Sequence, residues 1–133
     1  MGTANKNLVA THGDELFAFA TAQNLPIGFE ASVAGGIPIL RVIHESTADD
    51  RLRAVRGILN GTSNYILTQM ESRGIEFEQA LDEAQKAGYA EASPTFDIDG
   101  LDARDKLCIL ARMAFGGRLN VSKTPFMVYG KFE

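Results

Sequence analysis

The chain has 133 residues, with 13 basic and 17 acidic side chains and a net charge of -4 at pH 7. This length suits a single domain over residues 1–133, and an acidic chain without a Lys/Arg cluster argues against a nucleic-acid partner. No apolar run approaches the roughly 20 residues that cross a bilayer, and the single cysteine, Cys108, leaves no internal disulfide and favours a reducing, cytoplasmic setting.

Helix-like and strand-like patterns alternate through the first half of the chain. Apolar residues at helical spacing predict a helix over Leu8–Gln23, and the apolar segment Pro26–Val33 predicts a short strand. A glycine-rich corner follows, and a helix is predicted from Pro38 to about His44, because proline is tolerated at a first helical position. Leu52–Leu59 alternates apolar and polar residues, as a half-buried strand does.

The second half has clearer helix boundaries. Its predicted elements are a polar turn at Asn60–Asn64 that starts a helix ending at Gly74, a helix over Phe77–Ala87, an acid-rich loop over Tyr89–Gly100, a strongly apolar helix over Leu101–Phe115 and a last strand over Phe126–Tyr129. Together with the first half, they predict an α+β (mixed α/β) fold in which helices cover one face of a mixed β-sheet.

The acid-rich loop is the first candidate for a site. Glu91, Asp97, Asp99 and Asp102 follow one another without a basic residue between them. Clustered carboxylates repel one another unless a cation lies among them, so the segment could bind a positively charged group such as a substrate amine. The alternative is a solvated loop whose last acids favour the start of a helix. The pattern alone favours the solvated loop.

Asp102 and Lys106 form the second candidate, because residues four apart on a helix share one face. The rest of this helix is mainly apolar, so the pair could place an ammonium group in a cleft. Burial lowers the pKa of a lysine in general and allows it to act as an acid or base. The alternative is a surface ion pair of little energetic value, and spacing alone favours it.

The glycine corner that follows Glu30 is the third candidate. Gly35 and Gly36 permit backbone conformations that turn carbonyl groups inward, and these oxygens with the Glu30 carboxylate would suit a hard cation. The alternative, which the pattern alone favours, is a tight turn into a helix. The corner has neither spacing of a phosphate-binding loop.

Four segments, in this order, resemble the homoserine dehydrogenase family. They are TANK at 3–6, FEASVAGGIPIL at 29–40, GILNGTSNYIL at 57–67 and GYAEASPTFDIDGLDARDKL at 88–107. The resemblance extends to about Gly116. It implies the family's catalytic domain, which binds substrate and forms a homodimer through its sheet. It also implies NAD(P)-dependent interconversion of L-homoserine and L-aspartate 4-semialdehyde, in threonine and methionine biosynthesis.

The resemblance also implies roles for individual residues. Lys106 matches the lysine that exchanges a proton with the substrate oxygen, Asp102 matches the acid that orients it, and Lys6 matches a catalytic lysine at the cofactor–substrate junction. The remaining implied contacts are substrate binding by Glu91, Asp97, Tyr89, Gly61 and Thr62, cofactor binding by Lys6, Gly88 and Glu91, and a cation site, often sodium, made by Glu30 with the carbonyl groups of Val33, Gly35 and Ile37.

Two departures from the family are visible. Ser93 stands where the family commonly has an aspartate, which removes one charge from the pocket. The nucleotide-binding domain that precedes TANK in the family and the family's returning C-terminal segment are not in this sequence, so the isolated chain is expected to lack turnover. The rival hypothesis is a non-catalytic dimerisation or amino-acid-binding module.

Overall fold

The structure, a computed structural model, describes residues 2–46, 51–117 and 121–124, and helices form its framework. The elements are α1 (Lys6–Ala22), α2 (Ile39–Arg41) followed by a π-helix over Val42–Ser46, α3 (Gly61–Arg73), α4 (Phe77–Lys86), α5 (Thr95–Ile98) and α6 (Leu101–Phe115), with 3-10 turns at Glu30–Ser32 and Val121–Lys123. In these ranges no helix combines the length and apolarity that a bilayer crossing requires.

The described residues divide into two compact units. The first unit contains residues 2–46, 51–57, 104–117 and 121–124, and the second contains residues 58–103. Helix α6 begins in the second unit and continues into the first.

The predicted sheet is wrong for the part of the chain that the structure describes, where no strand is formed. In place of a strand over Pro26–Val33 there is one isolated parallel bridge between Gly2 and Gly28, followed by the 3-10 turn at Glu30–Ser32. A strand needs a neighbouring strand for its backbone hydrogen bonds. Here the segment that begins at Gly2 makes one bridge and then enters α1, which Asn5 caps.

The strand predicted over Leu52–Leu59 is also wrong, since residues 51–60 have no regular secondary structure. Two residues assigned to its buried face, Ala54 and Ile58, are exposed, Ile58 to 76%. Alternation specifies a strand only when a partner strand is present, and none exists among the described residues. The strand predicted over Phe126–Tyr129 lies outside the described residues.

The main helix predictions are confirmed. Helix α6 has the predicted bounds, and α1 and α4 differ from the predictions by one or two residues at their ends. Helix α3 begins after Asn60, whose side chain accepts a hydrogen bond from the Ser63 N–H, and ends at Gly74 in the left-handed conformation. The loop predicted over Tyr89–Gly100 contains the short helix α5, which starts directly after Pro94.

The second unit has a core between α3 and α4. Ile66 of α3 is buried together with Ala80 and Ala84 of α4 and with Ala90. The small side chains on α4 allow the two helices to approach closely. This core holds the N-terminal end of α3, where the polar turn lies, on a packed support.

In the first unit, the buried guanidinium of Arg112 connects α6 to α1. It donates a hydrogen bond from Nη1 to the Val9 carbonyl at 2.9 Å and lies beside Asp14. A Cβ atom on Gly13 would collide with that Nη1. Glycine at this position of α1 therefore provides the space for the arginine.

An exposed ion pair between Arg73 and Glu83 connects α3 to α4, with Nη2 and Oε1 3.1 Å apart. Hydrogen bonding from Arg73, and next from Gln79, holds the pKa of Glu83 below its ordinary value. The pair therefore stabilises the fold at neutral pH, and this contribution is lost as the pH falls through the lowered pKa of Glu83.

Replacement of Arg73 by methionine is expected to raise the pKa of Glu83 back towards its ordinary value, because the largest cause of the shift is removed. Carboxyl-carbon NMR titration of both proteins measures this change directly. Lys86→Met, which removes the exposed partner of Asp82, is the matched control and should leave the larger part of the Glu83 shift in place. An unchanged Glu83 titration in Arg73→Met would contradict the assignment.

Candidate functional site

Two of the predicted acids meet at one side chain in the second unit. The Asn60 Nδ2 group donates hydrogen bonds to the Asp97 carboxylate at 2.8 Å and to the Asp102 carboxylate at 2.9 Å. Asn60 and Asp102 are buried, at 8% and 3% exposure. Since both carboxylates contact the same nitrogen atom, they are neighbours, although α5 carries one and α6 the other.

The Thr62 hydroxyl also contacts Asp97, and the cluster therefore consists of Asn60, Thr62, Asp97 and Asp102. Its Oγ1 lies 2.9 Å from the second oxygen of Asp97 and 2.8 Å from the Tyr89 carbonyl. A hydroxyl carries one hydrogen, so the two acceptors share it. Asn60 and Thr62 are neutral donors, which orient the Asp97 carboxylate without cancelling its charge. Two neighbouring acids oriented in this way favour a cationic ligand group.

A groove of about 510 Å³ lies beside the cluster in the second unit. Four of the predicted contact residues contribute to its wall, namely Gly61, Thr62, Gly88 and Tyr89. The Tyr89 ring stacks on the Tyr65 ring with centroids 4.6 Å apart, and Tyr89 remains 59% exposed. Gly88 has a φ of 77° and open space where a Cβ atom would be, so a ligand can approach its backbone.

Glu91 lies in the segment between α4 and α5, and its side chain is exposed. Its backbone carbonyl accepts a hydrogen bond from Gln85 Nε2 at 3.0 Å, which attaches this segment to the end of α4. Glu91 therefore has a supported backbone and a carboxylate that solvent and ligands can reach.

The predicted lysines lie in the first unit. Lys6 is the first residue of α1, and the preceding TANK residues form the start of this helix. The Thr3 hydroxyl accepts a hydrogen bond from the Asn5 N–H at 3.1 Å, and the Asn5 side chain accepts one from the Leu8 N–H at 3.0 Å. Lys106 is partly buried on α6, four residues after Asp102.

A fully buried carboxylate, Asp105, joins the segments that carry these lysines. It accepts a hydrogen bond from Asn7 Nδ2 at 2.9 Å and two from the Arg104 guanidinium at 3.1 and 2.8 Å. Asn7 follows Lys6 in sequence, and Asp105 precedes Lys106. The Asn7–Asp105 hydrogen bond therefore fixes the start of α1 against α6 inside the first unit.

The predicted cation corner is a turn in which Glu30 has a second role. Its two carboxylate oxygens accept hydrogen bonds from the Leu40 and Arg41 N–H groups, at 2.9 and 3.0 Å, and so cap α2. Val33 is buried, whereas Ile37 is 63% exposed. Ala34 and Gly36 have positive φ angles, as the sharp turn requires.

The sequence pattern did not identify Asn60 or Asp105 as functional. Asn60 was recognisable as a helix-starting residue, but its amino group contacts acids 37 and 42 positions away. Asp105 could be placed on the side of α6 that carries polar residues, whereas its contact with Asn7 spans 98 positions. Contacts between residues so far apart in sequence leave no recognisable pattern in the residues around them.

The chain is similar to known proteins both in sequence and in fold. The chain is 51% identical over 120 residues to the homoserine dehydrogenase of Neisseria gonorrhoeae. Its fold matches a homoserine dehydrogenase structure from Thiobacillus denitrificans with a TM-score of 0.88 and 50% identity over 92% of the chain. It also matches a hyperthermophilic archaeal homoserine dehydrogenase in complex with NADPH, with a TM-score of 0.81 and 35% identity over 87% of the chain.

These relatives are homoserine dehydrogenases, which belong to the oxidoreductases. The sequence model of one family, homoserine dehydrogenase, matches residues 38–128. The chain belongs to the homoserine dehydrogenase family. It spans 28% of the length of the Neisseria gonorrhoeae and Thiobacillus denitrificans proteins and 36% of the archaeal chain.

Proposed function

We propose that residues 1–133 form the catalytic domain of an NAD(P)-dependent homoserine dehydrogenase, which interconverts L-homoserine and L-aspartate 4-semialdehyde. The observation that carries this proposal is the pair of carboxylates, Asp97 and Asp102, that Asn60 holds together beside an open groove. Homoserine carries an ammonium group, and a site with paired acids supplies the charge that it requires.

The substrate contacts follow from this arrangement. Glu91 is exposed and can bind the ammonium group of homoserine, while Asp97 adds charge from the side of α5. The N-terminal end of α3, at Gly61 and Thr62, presents backbone N–H donors that suit the substrate carboxylate. Tyr89 lines the same groove. Ser93 leaves the charge of Glu91 and Asp97 in place, so we propose that it is compatible with binding.

Lys106 is proposed to move the proton. In the oxidation direction it takes the proton of the substrate hydroxyl, and in the reduction direction it returns a proton to the aldehyde oxygen. Asp102, four residues earlier on α6, is proposed to orient this lysine and the substrate. When bound, NAD(P) supplies the hydride exchange with the substrate carbon.

The residues proposed to border the cofactor are Lys6, Gly88 and Glu91. Gly88 has open space in front of its backbone, and the adjacent Tyr89 ring is exposed, so a flat ring can approach this wall of the groove. The archaeal relative was solved with NADPH, which supports NAD(P) as the cofactor. The wider dinucleotide contacts are assigned to the length that the relatives have beyond this chain.

We further propose that a monovalent cation, such as sodium, binds at Glu30 with the carbonyl groups of Val33, Gly35 and Ile37. The support is the bonding capacity of Glu30. Each of its carboxylate oxygens accepts one hydrogen bond from α2 and retains a second lone pair, which is available to a cation. A homodimer and a cytoplasmic location are proposed from the family resemblance and from the single cysteine.

An exchange enzyme tests the function. In this enzyme, the present chain replaces the aligned segment of the Neisseria gonorrhoeae homoserine dehydrogenase, and the rest of that protein is kept. We expect NAD(P)-linked oxidation of homoserine by the exchange enzyme and none by the isolated chain. A folded exchange enzyme without turnover would reject the proposal. Turnover by the isolated chain would reject the assignment of the wider dinucleotide contacts to the length that the relatives have beyond this chain.

Calorimetric titration of the isolated chain with homoserine addresses the rival module. Specific binding by the chain together with an inactive but folded exchange enzyme would favour an amino-acid-binding module. Turnover by the exchange enzyme would favour the dehydrogenase domain, whatever the affinity of the isolated chain.

A further inference from the structure

We propose that Asn60 is a positioning residue, which holds the carboxylates of Asp97 and Asp102 in the arrangement that receives the substrate ammonium group. This inference rests on the proposed function. It assigns to a neutral, buried side chain the task of keeping two like charges close together, which they would otherwise resist.

The orientation of the Asn60 amide follows from its hydrogen bonds. Its Oδ1 accepts a hydrogen bond from the Ser63 N–H at 2.8 Å, so its Nδ2 group must point away from the start of α3. The two hydrogens of Nδ2 are then directed to Asp97 and Asp102, one to each. With 8% exposure, the side chain has little water available to replace these partners.

Asn60 also connects three helices that are separate segments of the sequence. It caps α3, contacts Asp97 on α5 and contacts Asp102 at the start of α6. Thr62 holds the other Asp97 oxygen, and the Ser63 hydroxyl lies 3.3 Å from the Asp97 carbonyl. The start of α3 therefore holds both the carboxylate and the backbone carbonyl of Asp97. Through Asn60 it also holds the carboxylate of Asp102.

The residue type is specific to this task. Aspartate, serine and asparagine all cap helices well, because each offers an oxygen to the N–H groups of the first turn. Asparagine alone among these can accept the capping hydrogen bond and donate two others. Capping would be satisfied by aspartate at position 60, whereas positioning of the two acids would not.

Asn60→Asp in the exchange enzyme separates the two roles. It keeps the cap but places a third carboxylate against Asp97 and Asp102, where like charges repel one another. We expect kcat/KM for homoserine to fall about 100-fold at pH 8, mainly through KM, because the acids lose a charge-assisted donor each. Relative to the unsubstituted exchange enzyme, the loss should shrink as the pH falls, since a proton on the cluster restores one donor.

Two further variants complete the test. Asn60→Ser keeps a neutral cap without the double donor, so its loss of kcat/KM should be independent of pH. Gln79→Glu makes the same amide-to-acid change on the exposed face of α4 and should leave kcat/KM unchanged. If Asn60→Asp retains the activity of Gln79→Glu at every pH, Asn60 is only a helix cap and the inference is wrong.

An NMR titration of the unsubstituted chain tests the network without any need for activity. Both side-chain amide protons of Asn60 should shift as the pH falls through the carboxyl range, because each donates to a different carboxylate. The Asn5 amide, which also caps a helix, is the reference. Unmoved Asn60 resonances would overturn the inference, whereas an inactive exchange enzyme with shifting resonances would overturn the proposed function and leave the network in place.

Discussion

Lys106→Met in the exchange enzyme is expected to lower kcat for homoserine oxidation by about 1000-fold, while the fold is kept. Methionine preserves the apolar stem of the side chain and removes the amine that exchanges the proton with the substrate oxygen. Since this interaction develops in the transition state, kcat and kcat/KM should fall together, with little change in KM. Steady-state kinetics with NAD(P) measures the effect, and circular dichroism confirms the helix content.

Lys86→Met is the matched control for this experiment. Lys86 lies on the exposed face of α4, where it pairs with Asp82. The same change of residue type at this position should leave kcat within a factor of two of the unsubstituted exchange enzyme, as expected for a weak surface pair. If Lys106→Met retained turnover at the level of Lys86→Met, Lys106 would have no part in the chemistry.

Asp105→Ala is expected to destabilise the isolated chain by about 3 kcal/mol, because it removes the buried carboxylate that pairs with Arg104 and accepts the hydrogen bond from Asn7. For a chain of this size, that change corresponds to a melting temperature lower by about 10 °C. Thermal unfolding followed by circular dichroism measures it. Asp105→Asn, which keeps the shape of the side chain, should lose less.

The control for Asp105 is an aspartate in an exposed pair. Asp82→Ala removes the partner of Lys86 on the surface of α4, where both side chains are largely solvated. Its melting temperature should equal that of the unsubstituted chain within error. A similar loss in both variants would show that helix composition, rather than the buried hydrogen bonds of Asp105, determines the effect.

The helices were predictable because their signals are local. Asn60 and Gly74 mark the ends of α3 with a capping side chain and a left-handed glycine, and both roles depend on residues within one turn. Helix α6 was predicted with its observed bounds from a continuous helical pattern of apolar residues. The short helix α5 was missed because Pro94 indicated a loop, although proline is also compatible with the start of a helix.

The sheet was predicted wrongly because strands depend on partners. The apolar segment at Pro26–Val33 and the alternating segment at Leu52–Leu59 both satisfy the local pattern of a strand. In the described residues, the first forms a single bridge at Gly28 and the second forms no regular structure. Local alternation cannot reveal whether a neighbouring strand exists.

The sequence by itself determined the main helices and, through its resemblance to homoserine dehydrogenases, predicted residues for the candidate site. From spacing alone, a solvated loop was favoured over a pocket for the segment that carries Asp97 and Asp102. Only the tertiary structure decided that Asn60 brings these two acids together and that Asn7 meets Asp105. The physical reason is range, because caps and helical faces arise within a few residues, whereas a shared hydrogen-bond donor requires chain segments far apart in sequence to pack side by side.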